Sequence, residues 1–300
     1  MRMIFCADPL NKRQPEAMYA TEVAAVEQLE IPTSLLDFEA LVEQYDDQRA
    51  IRRIQAAEQP EVAIYRGWML KPDNYIQLYA ALAEKNLFLI NMPQAYIHCH
   101  HLPASYHLIQ EVTPQTVWTP VYGEPDLDEI MELLQPFGDS PVVLKDYVKS
   151  RKHEWFEACY IPSAADRSEV ERVVNRFIEL QGDDLNEGLV FRAYQQFEPL
   201  GSHAKSSMPL TREYRLFFCD GKHLQTIPYW EQEGYGQEMP PLDLLLPVAR
   251  RIQSRFFTMD VARQDNGAWS IIELGDGQVA GLPERTDVPA FYQALIQTAR

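Results

Sequence analysis

Cysteine is scarce in this chain of 300 residues: Cys6, Cys99, Cys159 and Cys219 stand far apart, with no paired spacing. That argues against a disulfide framework and for reduced thiols, as in a cytoplasmic protein. Long apolar runs are missing as well. The longest, at 87–90, 141–144 and 242–248, fall far short of the roughly 20 residues of a bilayer span, so no membrane partner is expected. Residues 1–7 have neither the length of a signal-peptide core nor a small-residue cleavage site, and read as a first strand. Positive charge is in short supply: 27 Lys and Arg stand against 44 Asp and Glu, a formal net charge of −17. General attraction to nucleic acid phosphates is thereby disfavoured, and RNA would need a local basic groove, such as one formed by 149–152 with the arginines of 49–53. Neither Gly-x-x-x-x-Gly-Lys nor Gly-x-Ser-x-Gly occurs, which removes the P-loop and the nucleophile elbow.

Against that shortage, the placement of the cations matters. Lys145, Lys149, Arg151 and Lys152 fall close together on an otherwise acidic chain, either as a solvated loop or as a site for a small anion such as a nucleotide. The first ~110 residues alternate strand-like and helix-like segments, with strands expected at 3–6, 33–36, 62–65 and 87–91 and helical patterns at 16–29, 38–45, 49–57 and 73–84. This spacing predicts a parallel sheet with crossover helices. Pro114, Pro120 and Gly123 mark a boundary. Beyond it come helices at 126–134, 166–180 and 241–256 and strands at 141–146, 189–194, 213–219, 224–229, 257–263 and 268–274. Asp220-Gly221 and Asn266-Gly267 signal tight hairpins, so the second half reads as antiparallel α+β.

Three features could carry chemistry. Lys145 ends an apolar strand and can deliver a point charge to a phosphate, though such a lysine can equally lie along the surface. A hairpin turning at Asn266-Gly267 brings Asp260 and Glu273 opposite one another, an unfavourable pair unless a cation lies between them. Mg²⁺ uses such carboxylates together with substrate phosphates. Arg215, in Glu213-Tyr214-Arg215, can face the same pocket or simply pair with Glu213. The segment Ile97-His98-Cys99-His100-His101 lacks a second ligand pair for zinc and reads as a polar turn at the mouth of the first sheet, with contact to an acceptor substrate left open. Tyr229, Trp230 and Tyr235 lie in a Glu- and Gly-rich stretch that reads as a surface loop, or as a substrate-facing lid.

In order, Val142-Val143-Leu144-Lys145, Leu189-Val190-Phe191-Arg192-Ala193-Tyr194, Glu213-Tyr214-Arg215-Leu216-Phe217, Phe257-Thr258-Met259-Asp260-Val261 and Ile272-Glu273-Leu274-Gly275-Asp276-Gly277-Gln278 resemble the ATP-grasp superfamily, closest to its R2K clade. Thr113-Pro114-Gln115-Thr116 resembles the helix start that precedes the central subdomain. The resemblance implies an α/β domain over 1–112 followed by an α+β ATP-grasp fold over 113–300, with a central subdomain at about 113–190 and a C-terminal one at about 191–300 clasping ATP. It implies that Lys145, Arg192 and Arg215 act on the phosphates and that Lys149 belongs to a phosphate-covering loop. The backbone of Phe191, Arg192 and Ala193 would lie against adenine, Glu198 would hold ribose, and Asp260, Glu273 and Asp276 would bind Mg²⁺. Gly275-Asp276-Gly277 departs from the Glu-x-Asn pattern common in the superfamily. The implied activity is ATP-dependent ligation: a carboxylate is activated as an acylphosphate and joined to an amine or other nucleophile, with a peptide or RNA among the candidate substrates and a homodimer among the candidate assemblies. A kinase-like phosphotransferase and an ATP-binding module working through a protein partner are the alternatives.

Overall fold

A computed structural model describes residues 1–202 and 208–299 of the chain. Its strands are β1 (Arg2–Cys6), β2 (Thr33–Leu36), β3 (Glu61–Arg66), β4 (Leu87–Leu89), β5 (Thr116–Pro120), β6 (Val142–Asp146), β7 (Tyr160–Ile161), β8 (Gly188–Ala193), β9 (Pro199–Ser202), β10 (Pro209–Thr211), β11 (Glu213–Cys219), β12 (Lys222–Pro228), β13 (Phe256–Arg263) and β14 (Trp269–Asp276).

The first sheet has the order β2-β1-β3-β4 and is parallel throughout, as the alternation of apolar strands and helical segments predicts. Its central strands, β1 and β3, are largely buried because helices cover them. The second sheet, β5-β8-β6-β7, and the third, β12-β11-β13-β14, are antiparallel. Both hairpins form, the first on two residues and the second on a wider turn over 264–268. Asp220 and Gly221 take φ of 46° and 72°, the left-handed pair a two-residue turn between β11 and β12 requires. Gly267 takes φ of 87° between β13 and β14.

Several local expectations are corrected. Thr113–Thr116 leads into β5, not into a helix. The helix expected over 241–256 covers only Leu242–Ala249, with Pro247 inside it, and residues beyond 252 already lead into β13. Residues 49–57 supply one short turn, Asp47–Ala50, capped by Asp46. The His-rich segment closes a helix, Pro93–His100, and is buried. Asp126 and Asp166 do cap their helices, each accepting two backbone N–H groups.

Three apolar clusters organise the packing. One joins the parallel sheet to Phe217, Cys219 and Phe256 of the third sheet and to Phe291, Tyr292 and Leu295 of the last helix, Val288–Thr298. A second lies on the opposite face of the third sheet, where Tyr214, Leu216, Phe218, Phe257, Met259 and Val261 meet Leu245, Ala249 and Ile109. The third is confined to the second sheet, whose Val142, Leu144, Leu189 and Phe191 pack on the helices Leu127–Leu134 and Arg167–Gln181. Each fully buried Leu, Ile or Phe stabilises by roughly 1.5–3 kcal/mol.

Candidate active site

Strand alternation decides which side chains meet. On β11 and β13 the Tyr214, Leu216, Met259 and Val261 positions enter the second apolar cluster. The intervening Glu213, Arg215, Thr258 and Asp260 therefore face the other way, together with Glu273 and Gly275 of β14. On the second sheet Leu144 and Phe191 enter the third cluster, so Val143, Lys145 and Arg192 look out from its opposite face. The two faces enclose a cavity of about 780 Å³, within the range of small-molecule sites.

Lys145 crosses this cavity: its Nζ donates to Glu273 Oε1 at 2.5 Å. Asp260 and Glu273 are register partners, followed by a bulge that stops the alternation at Ile272. Arg215 clamps Asp260, with Nε to Oδ1 at 2.8 Å and Nη2 to Oδ2 at 2.7 Å, and its Nη1 donates to the Gly281 carbonyl at 3.0 Å. Its guanidinium lies 4.8 Å from the Tyr229 ring centroid. Arg192 donates to the Ile272 carbonyl at 2.5 Å and to Thr113 Oγ1 at 2.7 Å, and its buried Nε has no partner among the described residues. Lys145, Arg192 and Arg215 thus converge with Asp260 and Glu273.

The electrostatics follow the layout. Burial would raise the Glu273 pKa, but Lys145 and then Lys152 bring it down to about 2. Burial lowers Arg192 to about 10. For Arg215, burial is outweighed by Asp260 and the pKa is raised.

Two groups carry more than the sequence indicated. Lys152 lines the cavity; burial would lower its pKa, yet Glu213, Tyr229, Glu273 and Asp260 together raise it. Glu213 is only 5% exposed, and its carboxylate has no hydrogen bond or ion pair among the described residues. Burial pushes its pKa to about 7, with Lys152 pulling down and Asp260 pushing up. Its backbone carbonyl, paired with Tyr229 N–H, fixes it at the start of β11, two positions before Arg215. The sequence signal was present: strand alternation from Arg215 puts Glu213 on the same face.

Other expected residues are placed elsewhere. Glu198 does not line the cavity: its Oε2 accepts from Arg212 at 3.0 Å and its Oε1 from Arg263 at 2.5 Å. These two guanidiniums outweigh burial and lower its pKa. Phe191 points into the third cluster, and β8, the expected connector, is an interior strand of the second sheet. Ala193 lines the cavity, and the connection beyond it adds Tyr194, Gln195, Gln196 and Phe197. Lys149 lines the cavity but is exposed.

Asp276 is paired with Phe257, on the face opposite Glu273. Its Oδ2 accepts from Asn91 at 2.6 Å and its Oδ1 from the backbone and side chain of Gln278, at 2.9 and 3.2 Å. It is among the residues lining the cavity, yet it is fully buried as a link to the first sheet, with both carboxylate oxygens already accepting hydrogen bonds, and burial raises it to about 6.

The helix Pro93–His100 spreads its polar side chains: Cys99 enters the second cluster, His100 stacks on Tyr96 at 4.9 Å and touches the cavity, and His101 meets the Tyr147 ring edge-on. Burial, with His101, holds His100 down to about 3. Tyr229 and Trp230 line the cavity, whereas Tyr235 packs edge-on against Tyr214, so this stretch is no simple surface loop.

The donor set fits Mg·ATP. Two facing carboxylates supply hard oxygen ligands, and the lysines and arginines around them match the phosphates. Among the described residues no group of three or more His, Cys, Asp or Glu is arranged to hold a metal alone, as expected where phosphates complete the shell.

Solved structures share the architecture. D-cycloserine synthetase DcsG aligns over 100% of both chains at a TM-score of 0.62 and 12% identity. The ATP-grasp ligase PsnB, complexed with minimal precursor, Mg and ADP, aligns over 99% of this chain and 98% of its own, at 0.57 and 12%. D-alanine–D-alanine ligase from Bacillus anthracis, complexed with ATP, aligns over 99% and 95%, at 0.59 and 14%. At these identities the likeness is one of fold. No curated protein matches by sequence. The family model for the ATP-grasp domain of R2K clade family 3 matches residues 136–295, just over half the chain and all of the charged face described above, and the chain belongs to that family.

Proposed function

We propose that the chain is a Mg·ATP-dependent ligase that activates a carboxylate as an acylphosphate and joins it to an amine or other nucleophile. The observation that carries this reading is the Lys145–Glu273 contact across the cavity, one register pair from the Arg215–Asp260 clamp. In this reading Lys145, Lys152, Arg192 and Arg215 hold the phosphates, while Asp260 and Glu273 hold Mg²⁺. The bound cation supplies charge neutralisation on the phosphate oxygens. Adenine lies along 193–197, at the connection between the two sheets. Glu213, open to the cavity at that end, takes the ribose hydroxyls in place of Glu198. The working units are 1–112, a central subdomain ending at Ala193, and the remainder, which shares an apolar core with the first sheet.

Attack by a substrate carboxylate oxygen on the γ-phosphorus breaks the bond to ADP. The nucleophile then adds to the acyl carbon, loses a proton, and expels phosphate. The chain's residues position these groups and neutralise charge, and none need form a covalent bond. Closure of the two sheets over the substrates would limit hydrolysis of the acylphosphate. The PsnB complexes with precursor peptides favour placing peptide carboxylates first among the acceptors to try. Four buried free thiols suit a reducing cytoplasm.

The test is ATP-dependent phosphate release, with hydroxylamine trapping of the acylphosphate, over a panel of amino acid and peptide carboxylates. Asp260→Asn and Glu273→Gln should each lower turnover by about 100-fold or more while the fold persists. Near wild-type turnover in both would refute the metal assignment. A phosphorylated product without free phosphate would identify a kinase.

A further inference from the structure

Gly275 leaves a gap in the charged face. β14 projects Glu273 and Gly275 to the same side, and Gly275 pairs with Thr258, two register pairs from Asp260 and Glu273 and next to them on that face. A side chain there would share a cation's reach with Glu273, yet the position has none, and Asp276 is turned to Asn91 and Gln278. Nor is there room: a Cβ on Gly275 would stand 2.8 Å from Thr258 Oγ1. On the other side of the pair, Asp260 has each carboxylate oxygen already accepting from Arg215. Glu213 is a cross-strand diagonal away, next to Ala262, and does not join the pair in a metal-sized group.

We propose that this chain binds one divalent cation with its nucleotide, between Asp260 and Glu273, and that Arg215, fixed by Asp260 and the Gly281 carbonyl, supplies the positive charge a second cation would bring. Oxygen donors suffice for one ion whose remaining positions are phosphates and water. A second ion would have only Glu273 and phosphate oxygens. The guanidinium costs no metal to hold in place, and its geometry is set by two charge-assisted bonds. The inference rests on the proposed function, because it assumes Mg·ATP at this face.

The experiment counts ions without turnover. Mn²⁺ is titrated into the full-length protein in excess over AMPPNP, and free Mn²⁺ is read by electron paramagnetic resonance while bound nucleotide is measured in parallel. One Mn²⁺ per bound nucleotide is expected for the wild type and for Thr258→Ala. The double variant Gly275→Asn/Thr258→Ala, which adds a donor and removes the clash, should bind two. Two ions in the wild type would overturn the inference and leave the proposed function intact. Nucleotide bound without any Mn²⁺ would instead remove the metal reading beneath it. A folded double variant that stays at one ion would overturn the role given to position 275, and should that variant not fold, the wild-type count alone decides.

Discussion

The two sheets that face each other across the cavity divide the charge between them. The second sheet and the loop after β6 offer cations, Lys145, Lys149, Lys152 and Arg192, while Asp146, the acid on β6, is turned away to Gln181 and Asn186. The third sheet offers Glu213, Asp260 and Glu273, with Arg215 its one facing cation. Their hydrophobic support differs too: the second sheet has a cluster of its own, whereas the third is packed on both faces, one of them against the parallel sheet. Carboxylates lining such a cavity are costly unless a cation meets them. The lesson is that Asp260 is completed within its own sheet, by Arg215, whereas Glu273 is completed from across the cavity, by Lys145 in the empty protein and by metal with nucleotide in the working one.

The sharpest way to break that comparison is to remove the crossing cation. Lys145→Met should reduce ATP turnover by about 100- to 1,000-fold. It should also expose a pH effect. Glu273, held at about 2, is depressed below its ordinary value; its contribution is present above about pH 4.5 and is lost as pH falls toward 2. Without Lys145 the depression shrinks, so stability below pH 4.5 should depend less on acidification, as thermal unfolding from pH 2.5 to 6 would show. An unchanged profile would mean that the contact contributes nothing across the cavity.

Glu213 sharpens the same contrast from the acidic side. Its folded pKa of about 7 lies above the ordinary value, so its contribution is present below about pH 4.5 and is lost as pH rises through about 7. Glu213→Gln should therefore stabilise the nucleotide-free protein at pH 8, by roughly 1–3 kcal/mol, and the gain should vanish near pH 4.5. Nucleotide affinity should weaken about tenfold, or about 1.4 kcal/mol. Glu198→Gln should do the reverse, leaving affinity alone while it loosens Arg212 and Arg263.

How far the sequence disclosed this site depends on which force placed each residue. Local rules located the hairpin turns and the parallel first sheet, because turn chemistry and two-residue alternation act over short distances; the Asp260–Glu273 pairing also needs the bulge at Ile272, without which the register leaving the turn would set Asp260 opposite Ile272. They also put Lys145 at a strand end. They did not reveal that Asp276 belongs to a buried network with Asn91, 185 residues away in the chain. Nor did they show that Glu198 is held by Arg212 and Arg263, since ion pairing is a property of the folded arrangement. Pattern also misread the His-rich segment as a turn, because its burial comes from Tyr96, Tyr147 and the third sheet rather than from its own composition.

The smallest effects separate the contents of the cavity from its frame. Asp276→Asn puts an amide donor among the donors of Asn91 and Gln278, and should destabilise by about 1–3 kcal/mol in chemical denaturation at pH 7, with the Mn²⁺ count unchanged. A lost ion would return Asp276 to the metal site. Lys149 should matter least among the cavity's cations. Its side chain is exposed, so water and salt screen its charge, and it has no partner as close as that of Lys145 among the described residues. Lys149→Met should change the Michaelis constant for ATP by no more than about threefold at 0.15 M salt, an effect that fades further as salt rises. A loss as large as that of Lys145→Met would mean that the loop after β6 closes over the phosphates during turnover, and that its basic residues then act as part of the second sheet's cationic face.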